Sequence, residues 1–172
     1  DVQRQIDAAG KTRIFQFNVA GKSSATWLFQ SGEGQHPQCV ISEIRYNAQD
    51  QIESEMAGNG VVSSVNYSLE DGRLLRLFAG VAGQQPLQDL NYVYDPVGNI
   101  THINDAAQET VFHNNSVIRP EHHYVYDAIY RLIEGSGREN FGAPAPPGNE
   151  EGPWPQGLIP TSNQPRNYTQ YY

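Results

Sequence analysis

Apolar and polar residues alternate in short runs along most of this chain, and each run ends at a cluster of turn formers. Ile14-Phe15-Gln16-Phe17, Ala25-Thr26-Trp27-Leu28-Phe29, Val40-Ile41-Ser42-Glu43-Ile44-Arg45-Tyr46 and Val61-Val62-Ser63-Ser64-Val65-Asn66-Tyr67 open the series. Leu74–Phe78, Leu90–Tyr94, Ile100–Ile103, Thr110–His113, His123–Tyr126 and Arg131–Ile133 continue it. A period of two, carried by β-branched and aromatic residues, predicts half-buried strands. Gly58-Asn59-Gly60, Glu70-Asp71-Gly72, Asp95-Pro96-Val97-Gly98-Asn99 and Asn104-Asp105-Ala106-Ala107 supply the turns. Asp1–Gly10 and Asn47–Met56 carry helical propensity yet fit a strand and turn equally well. The pattern predicts an all-β chain of serial antiparallel hairpins over residues 1–142.

After Phe141 the pattern breaks. Seven of the 11 prolines fall between Pro144 and Pro165, with glycines among them. Proline cannot donate to a ladder, so residues 143–166 read as an irregular loop or arm. Trp154, Leu158 and Ile159 are its apolar anchors. Residues 167–172 read as the start of a further strand. That ending, with an opening that lacks Met, suggests a fragment or processed piece.

Self-similarity organises the strands. Four segments align on Tyr46, Tyr67, Tyr94 and Tyr126, spaced 21, 27 and 32 residues apart. Each is an aromatic strand end, a turn holding Asp or Gly, a polar residue, then an aliphatic strand start. Tyrosine offers a large ring and a hydroxyl that can reach a partner. Asp95 and Asp127 can cap their own turns, and Gly98 accepts positive φ. A lone hairpin is only marginally stable, so such units must stack edge to edge.

Composition narrows the function. Hydrophobic residues are 38% and charged residues 17%, both below the averages of globular domains. A net charge of -8 argues against nucleic acid, whose phosphates require a basic surface. No apolar run is long enough for a membrane helix. Cys39, the single cysteine, excludes an internal disulfide.

Tyr92-Val93-Tyr94-Asp95-Pro96-Val97-Gly98-Asn99-Ile100 and Tyr124-Val125-Tyr126-Asp127-Ala128-Ile129-Tyr130-Arg131-Leu132-Ile133 resemble the YD repeat of the Rhs family. With the continuation Glu134–Glu139, they look most like the B and C components of bacterial insecticidal Tc toxin complexes. The resemblance is strong over about residues 90–140 and fair over 40–80. Asn47 and Ser68 depart from it, standing where the repeat has Asp. The resemblance implies a curved β-shell, secreted or at a bacterial cell surface, that encloses a C-terminal toxin. Its implied partners are the remainder of the shell and the enclosed toxin, with no cofactor. It assigns Tyr46, Tyr67, Tyr94 and Tyr126 to stacking, and Asp95, Gly98 and Asp127 to the turns. Asp95-Pro96 also resembles an element of the family's self-cleaving core, but the following residues keep ordinary repeat spacing.

Other chemistries find less support. Ala20-Gly21-Lys22-Ser23 ends like a phosphate-binding loop, yet Gln16 stands where that motif needs glycine. His122 and His123 point to opposite faces of a strand and cannot chelate together. His102 and His113 are expected to face each other across a hairpin turning at Ala106-Ala107, near Glu109, as a polar pair short of a third metal ligand. Glu53 and Glu55 share a strand face without further acid–base machinery. Neither a nucleophile elbow nor a cysteine–histidine signature is present, so the sequence predicts no enzyme. Trp27 and Trp154, with the tyrosines, leave one rival: a carbohydrate- or cell-surface-binding module that stacks sugars on aromatic rings.

Overall fold

A computed structural model describes residues 1–29, 36–113, 115–140 and 165–172. Every regular element among them is a strand, so both propensity-based helical segments resolve as strand and turn. Backbone contacts divide the chain into two compact units, Asp1–Leu90 and Asn91–Tyr172.

The first unit is a run of antiparallel neighbours in chain order. These are β1 (Val2–Ile6), β2 (Thr12–Phe17), β3 (Ser23–Phe29), β4 (Gln38–Tyr46), β5 (Ile52–Ala57), β6 (Val62–Tyr67) and β7 (Leu74–Gly80). The chain passes from one unit to the next within β8 (Gln88–Tyr94). The sheet has little core. Among the described residues of this unit, Ala25 is the buried apolar side chain, and Thr12 and Asp89 are buried as well. Asp89 accepts from Arg76 Nε at 2.5 Å and Nη2 at 2.8 Å, and the guanidinium lies 5.4 Å from the Phe78 ring. Paired this way, the carboxylate keeps partners where water is excluded.

The second unit contains β9 (Ile100–Asp105), β12 (Glu121–Tyr126), β13 (Leu132–Asn140) and β14 (Pro165–Tyr171), antiparallel in that order. Here the structure corrects the expected hairpin. The turn at Asp105–Gln108 forms, but the returning strand is β12, not the segment holding His113. Residues 106–120 instead make an excursion with its own small sheet, β10 (Val111–His113) on β11 (Ser116–Ile118). Asp105 N donates to Pro120 O at 2.8 Å and closes the excursion. The excursion folds back on the sheet through Arg138, which donates to Glu109 O at 3.1 Å, and Asn167, which donates to Val117 O at 3.1 Å. Ile118, at the end of β11, is 2% exposed.

β14 begins at Pro165, two residues before the strand start read from the sequence. Proline at the first residue of a strand costs no interior ladder bond. Most of the Pro/Gly-rich arm, with Trp154, lies outside the described residues.

Candidate functional site: bulged turns and a histidine cluster

The turns at 18–22, 47–51, 95–99 and 127–131 share one construction. In each, the first residue accepts at least two amides on one side-chain oxygen, and Asp95 accepts a third from Gly98 N at 2.8 Å. Asn18 Oδ1 takes Ala20 N and Lys22 N at 3.0 Å; Asn47 Oδ1 takes Gln49 N at 3.0 Å and Gln51 N at 2.9 Å. Asp95 Oδ1 takes Val97 N at 3.1 Å and Asn99 N at 2.8 Å, and Asp127 Oδ1 takes Ile129 N and Arg131 N at 2.9 Å. The fourth residue is left-handed throughout: Gly21 at φ 76, Asp50 at 70, Gly98 at 105 and Tyr130 at 64. Asn replaces Asp without loss of the cap because the cap uses one oxygen. The turn at 68–73 is one residue longer, with Ser68 Oγ in the capping place and Gly72 left-handed at φ 71.

A register shift precedes the aromatic residue at four of these places: Gln16/Phe17, Arg45/Tyr46, Asn66/Tyr67 and Val125/Tyr126. Such bulges bend the strand and increase its twist. The tyrosines then reach across. Tyr46 Oη donates to Ser23 O at 2.9 Å, Tyr67 Oη to Ile52 O at 3.1 Å and Tyr126 Oη to Ile100 O at 3.0 Å. Each acceptor is the first residue of the strand before it in the sheet, just beyond the previous turn of this kind. The hydroxyl therefore clips one hairpin to the one before it.

In the first unit side chains also join turn to turn. Lys22 pairs with Asp50 and lies 4.8 Å from the Tyr46 ring, and Gln51 Nε2 donates to Gly72 O at 2.9 Å. The Gly21-Lys22 element that resembled a phosphate loop is thus a capped turn, with its lysine engaged by the next one. Sequence reasoning missed Phe17-Asn18 as a repeat. Its signal was present: Asn18 and Gly21 stand at the spacing of Asp95 and Gly98.

The capping carboxylates are perturbed. At Asp95 partial desolvation pushes the pKa up, but bonds from the Asn99 side chain and the amides of Asn99, Gly98 and Val97 outweigh it and hold it below the ordinary carboxylate range. The Arg131 amide and then its side chain lower Asp127. Tyr124 is raised, first by burial and then by its neighbours Tyr168, Tyr126, Tyr172 and Tyr92.

Trp27, half-buried in β3 between partners Ile14 and Cys39, has its indole Nε1 buried without a hydrogen-bond partner.

The histidines assemble differently from the expected pair. His102 faces His123 across β9 and β12, their rings stacked with centroids 4.4 Å apart and planes 11° apart. Glu121, two residues before His123 and so on its face, reaches His102 Nε2 at 3.5 Å and His123 Nε2 at 3.7 Å. His122 faces away, its Nδ1 3.5 Å from Tyr168 Oη.

A serial antiparallel sheet with bulged, side-chain-capped and tyrosine-clipped turns defines a YD-repeat protein. No protein-family model matches the chain. It is 40% identical to the toxin subunit YenC2 of Yersinia entomophaga, over 96% of this chain and 17% of that protein. It is 36% identical to the toxin subunit YenC1 of the same organism, over 81% of this chain and 15% of that one. A crystal structure of TcdB2-TccC3 superposes with TM-score 0.79 at 34% identity, over 98% of this chain and 8% of that chain. The Photorhabdus luminescens Tc holotoxin pore gives the same values. The chain belongs to the Rhs/YD-repeat family, among the B and C components of Tc toxins. It corresponds to a segment of such a toxin subunit, and spans less than a fifth of the curated relatives' length.

Proposed function

We propose that this chain is a non-catalytic stretch of a secreted toxin shell that encloses and protects a C-terminal toxin. The observation that carries this reading is the clip repeated by Tyr46, Tyr67 and Tyr126. It uses main-chain acceptors, recurs at successive hairpins, and builds sheet continuity in place of a pocket. The bulges beside it add twist in one sense, which a wall needs in order to curve. In this reading Tyr94 plays the same part as the other three tyrosines, Asp95, Gly98 and Asp127 set the turns, and residues 143–166 are an arm. Enclosure removes exposed edges and keeps proteases from the cargo.

The outermost strands are the surfaces for the remainder of the parent shell. Val2 and Ile6 of β1 are 64% and 58% exposed, and Tyr171 of β14 is 75% exposed. Alone, the chain is expected to self-associate through these edges; a monodisperse monomer at high concentration in light scattering opposes that.

Limited proteolysis of the full-length toxin subunit tests enclosure. Its C-terminal cargo should resist cleavage, and a Tyr46→Phe, Tyr67→Phe, Tyr126→Phe triple variant should expose it. Equal cleavage of both defeats the shell reading. A saturable shift of tryptophan emission with a glycan panel would favour the sugar-binding module instead.

A further inference from the structure

The cluster of His102, Glu121 and His123 is not used by the shell reading. One donor atom from each lies within 4.8 Å of the other two. His102 Nε2 is buried, yet has no hydrogen-bond partner although Glu121 Oε2 stands 3.5 Å away. A buried ring nitrogen aimed at a carboxylate without bonding to it is a costly arrangement unless something lies between them. The 3.5 Å separation is close to the edge, about 3.4 Å, of a tetrahedron around an ion with bonds of about 2.1 Å. Because an imidazole lone pair lies in the ring plane, the half-exposed His123 ring has to turn out of its stack on His102 to share that ion.

The surroundings suit a cation. Arg119 Nη1 lies 3.9 Å from Glu121 Oε1, which leaves Oε2, the oxygen nearer His102, available. His123 and Glu121 border a cleft of about 290 Å³ shared with Ser136, Asn167 and Thr169, so a fourth position can hold water. The site also falls where a long connection separates two paired strands. β9 meets β12 over three residue pairs, after the fifteen-residue excursion between Asp105 and Glu121. A bond across strands gains most where the intervening loop is long.

We propose that His102, Glu121 and His123 bind a divalent cation of the zinc class and clamp β12 to β9. Two imidazoles and one carboxylate are a borderline-soft donor set that suits Zn²⁺ over Mg²⁺ or Ca²⁺. The clamp is independent of whether the sheet encloses a cargo.

Titration of the full chain with Zn²⁺ by calorimetry, and with Co²⁺ by visible absorption, tests it. One equivalent should bind, Co²⁺ should give the intense bands of a four-coordinate ion, and Zn²⁺ should raise the melting temperature. His123→Ala and Glu121→Gln should each weaken binding at least tenfold and abolish the thermal shift. His123 has a half-exposed side chain, so its removal leaves the strand pairing intact, which circular dichroism verifies. Zn²⁺ uptake that is absent, or undiminished in both variants, overturns the proposal.

Discussion

Tyr126 donates its hydroxyl to the carbonyl of Ile100, 3.0 Å away and 26 residues earlier in the chain. The bond joins the end of β12 to the start of β9, so one phenol ties two capped turns together. Tyr46 and Tyr67 do the same for their own neighbours. With Ala25, Ile118 and Pro120 the buried apolar side chains among the described residues, sheet continuity has to replace much of what a core normally provides.

Tyr126→Phe keeps the ring and removes the bond. Its expected cost is about 1 kcal/mol, the usual net value of an intramolecular hydrogen bond. Tyr67→Phe, whose bond is exposed to water, should cost less. Urea denaturation checks both: the midpoint should fall at unchanged slope, and equal shifts would contradict the ordering.

The left-handed fourth turn position separates two further variants. Gly98 has φ 105 and Tyr130 has φ 64. Gly98→Ala should destabilise by about 1–2 kcal/mol, because a Cβ is strained there. Tyr130→Gly relieves that strain but adds unfolded-state freedom, so its change should be small or stabilising. A thermal melt in which both variants lose stability equally would show that φ does not govern this site.

Acid should loosen the turns. Asp95 and Asp127 have folded pKa values lowered from the ordinary one, so each stabilises the fold fully above about pH 4, the unfolded value. That contribution is lost as pH falls through the lower folded value. Asp95→Asn retains the Oδ1 acceptor, as Asn18 and Asn47 do, and Asn99 can turn its own amide to offer oxygen to the new NH₂. Stability measured from pH 7 to pH 2 should therefore fall less steeply in the variant; an unchanged slope rules out Asp95 as a contributor.

Gly58 admits no side chain. Its amide donates to Val40 O at 3.0 Å, and a Cβ there would overlap the Cys39 carbonyl. Gly58→Ala should cost about 1–3 kcal/mol through a forced backbone shift. Gly60→Ala, where nothing lies within 4 Å but φ is 85, isolates the cost of the backbone conformation. If Gly60→Ala proves the worse of the two in denaturant, crowding at Cys39 is not what matters.

The strands and their serial pairing were legible because a period of two and recurrent turn formers are local signals. Tyr94-Asp95 and Tyr126-Asp127 displayed the whole unit in sequence. Phe17-Asn18 did not, since phenylalanine lacks the hydroxyl that made the other repeats conspicuous. The bulges were invisible, being set by how two strands meet. The partner of His102 was missed for a related reason: nothing in residues 106–120 marks them as an excursion that delays the returning strand. That pairing is long-range, and the Glu121–His123 cluster exists only because of it.

Within each unit, the capped turns that follow a bulge or a repeat tyrosine occupy alternate connections and so fall along one margin of the sheet, while the turn capped by Asp7, between β1 and β2, lies on the other. The opposite margin carries connections of very different length: a compact one at 58–61, the excursion at 106–120, and the 24-residue link from Asn140 to Pro165. The two margins therefore tolerate change unequally. Residues added along the capped margin break a clip and its bulge together, whereas residues added along the other lengthen a loop at a cost that grows only logarithmically. New surface can be acquired on that side while the strands keep their spacing.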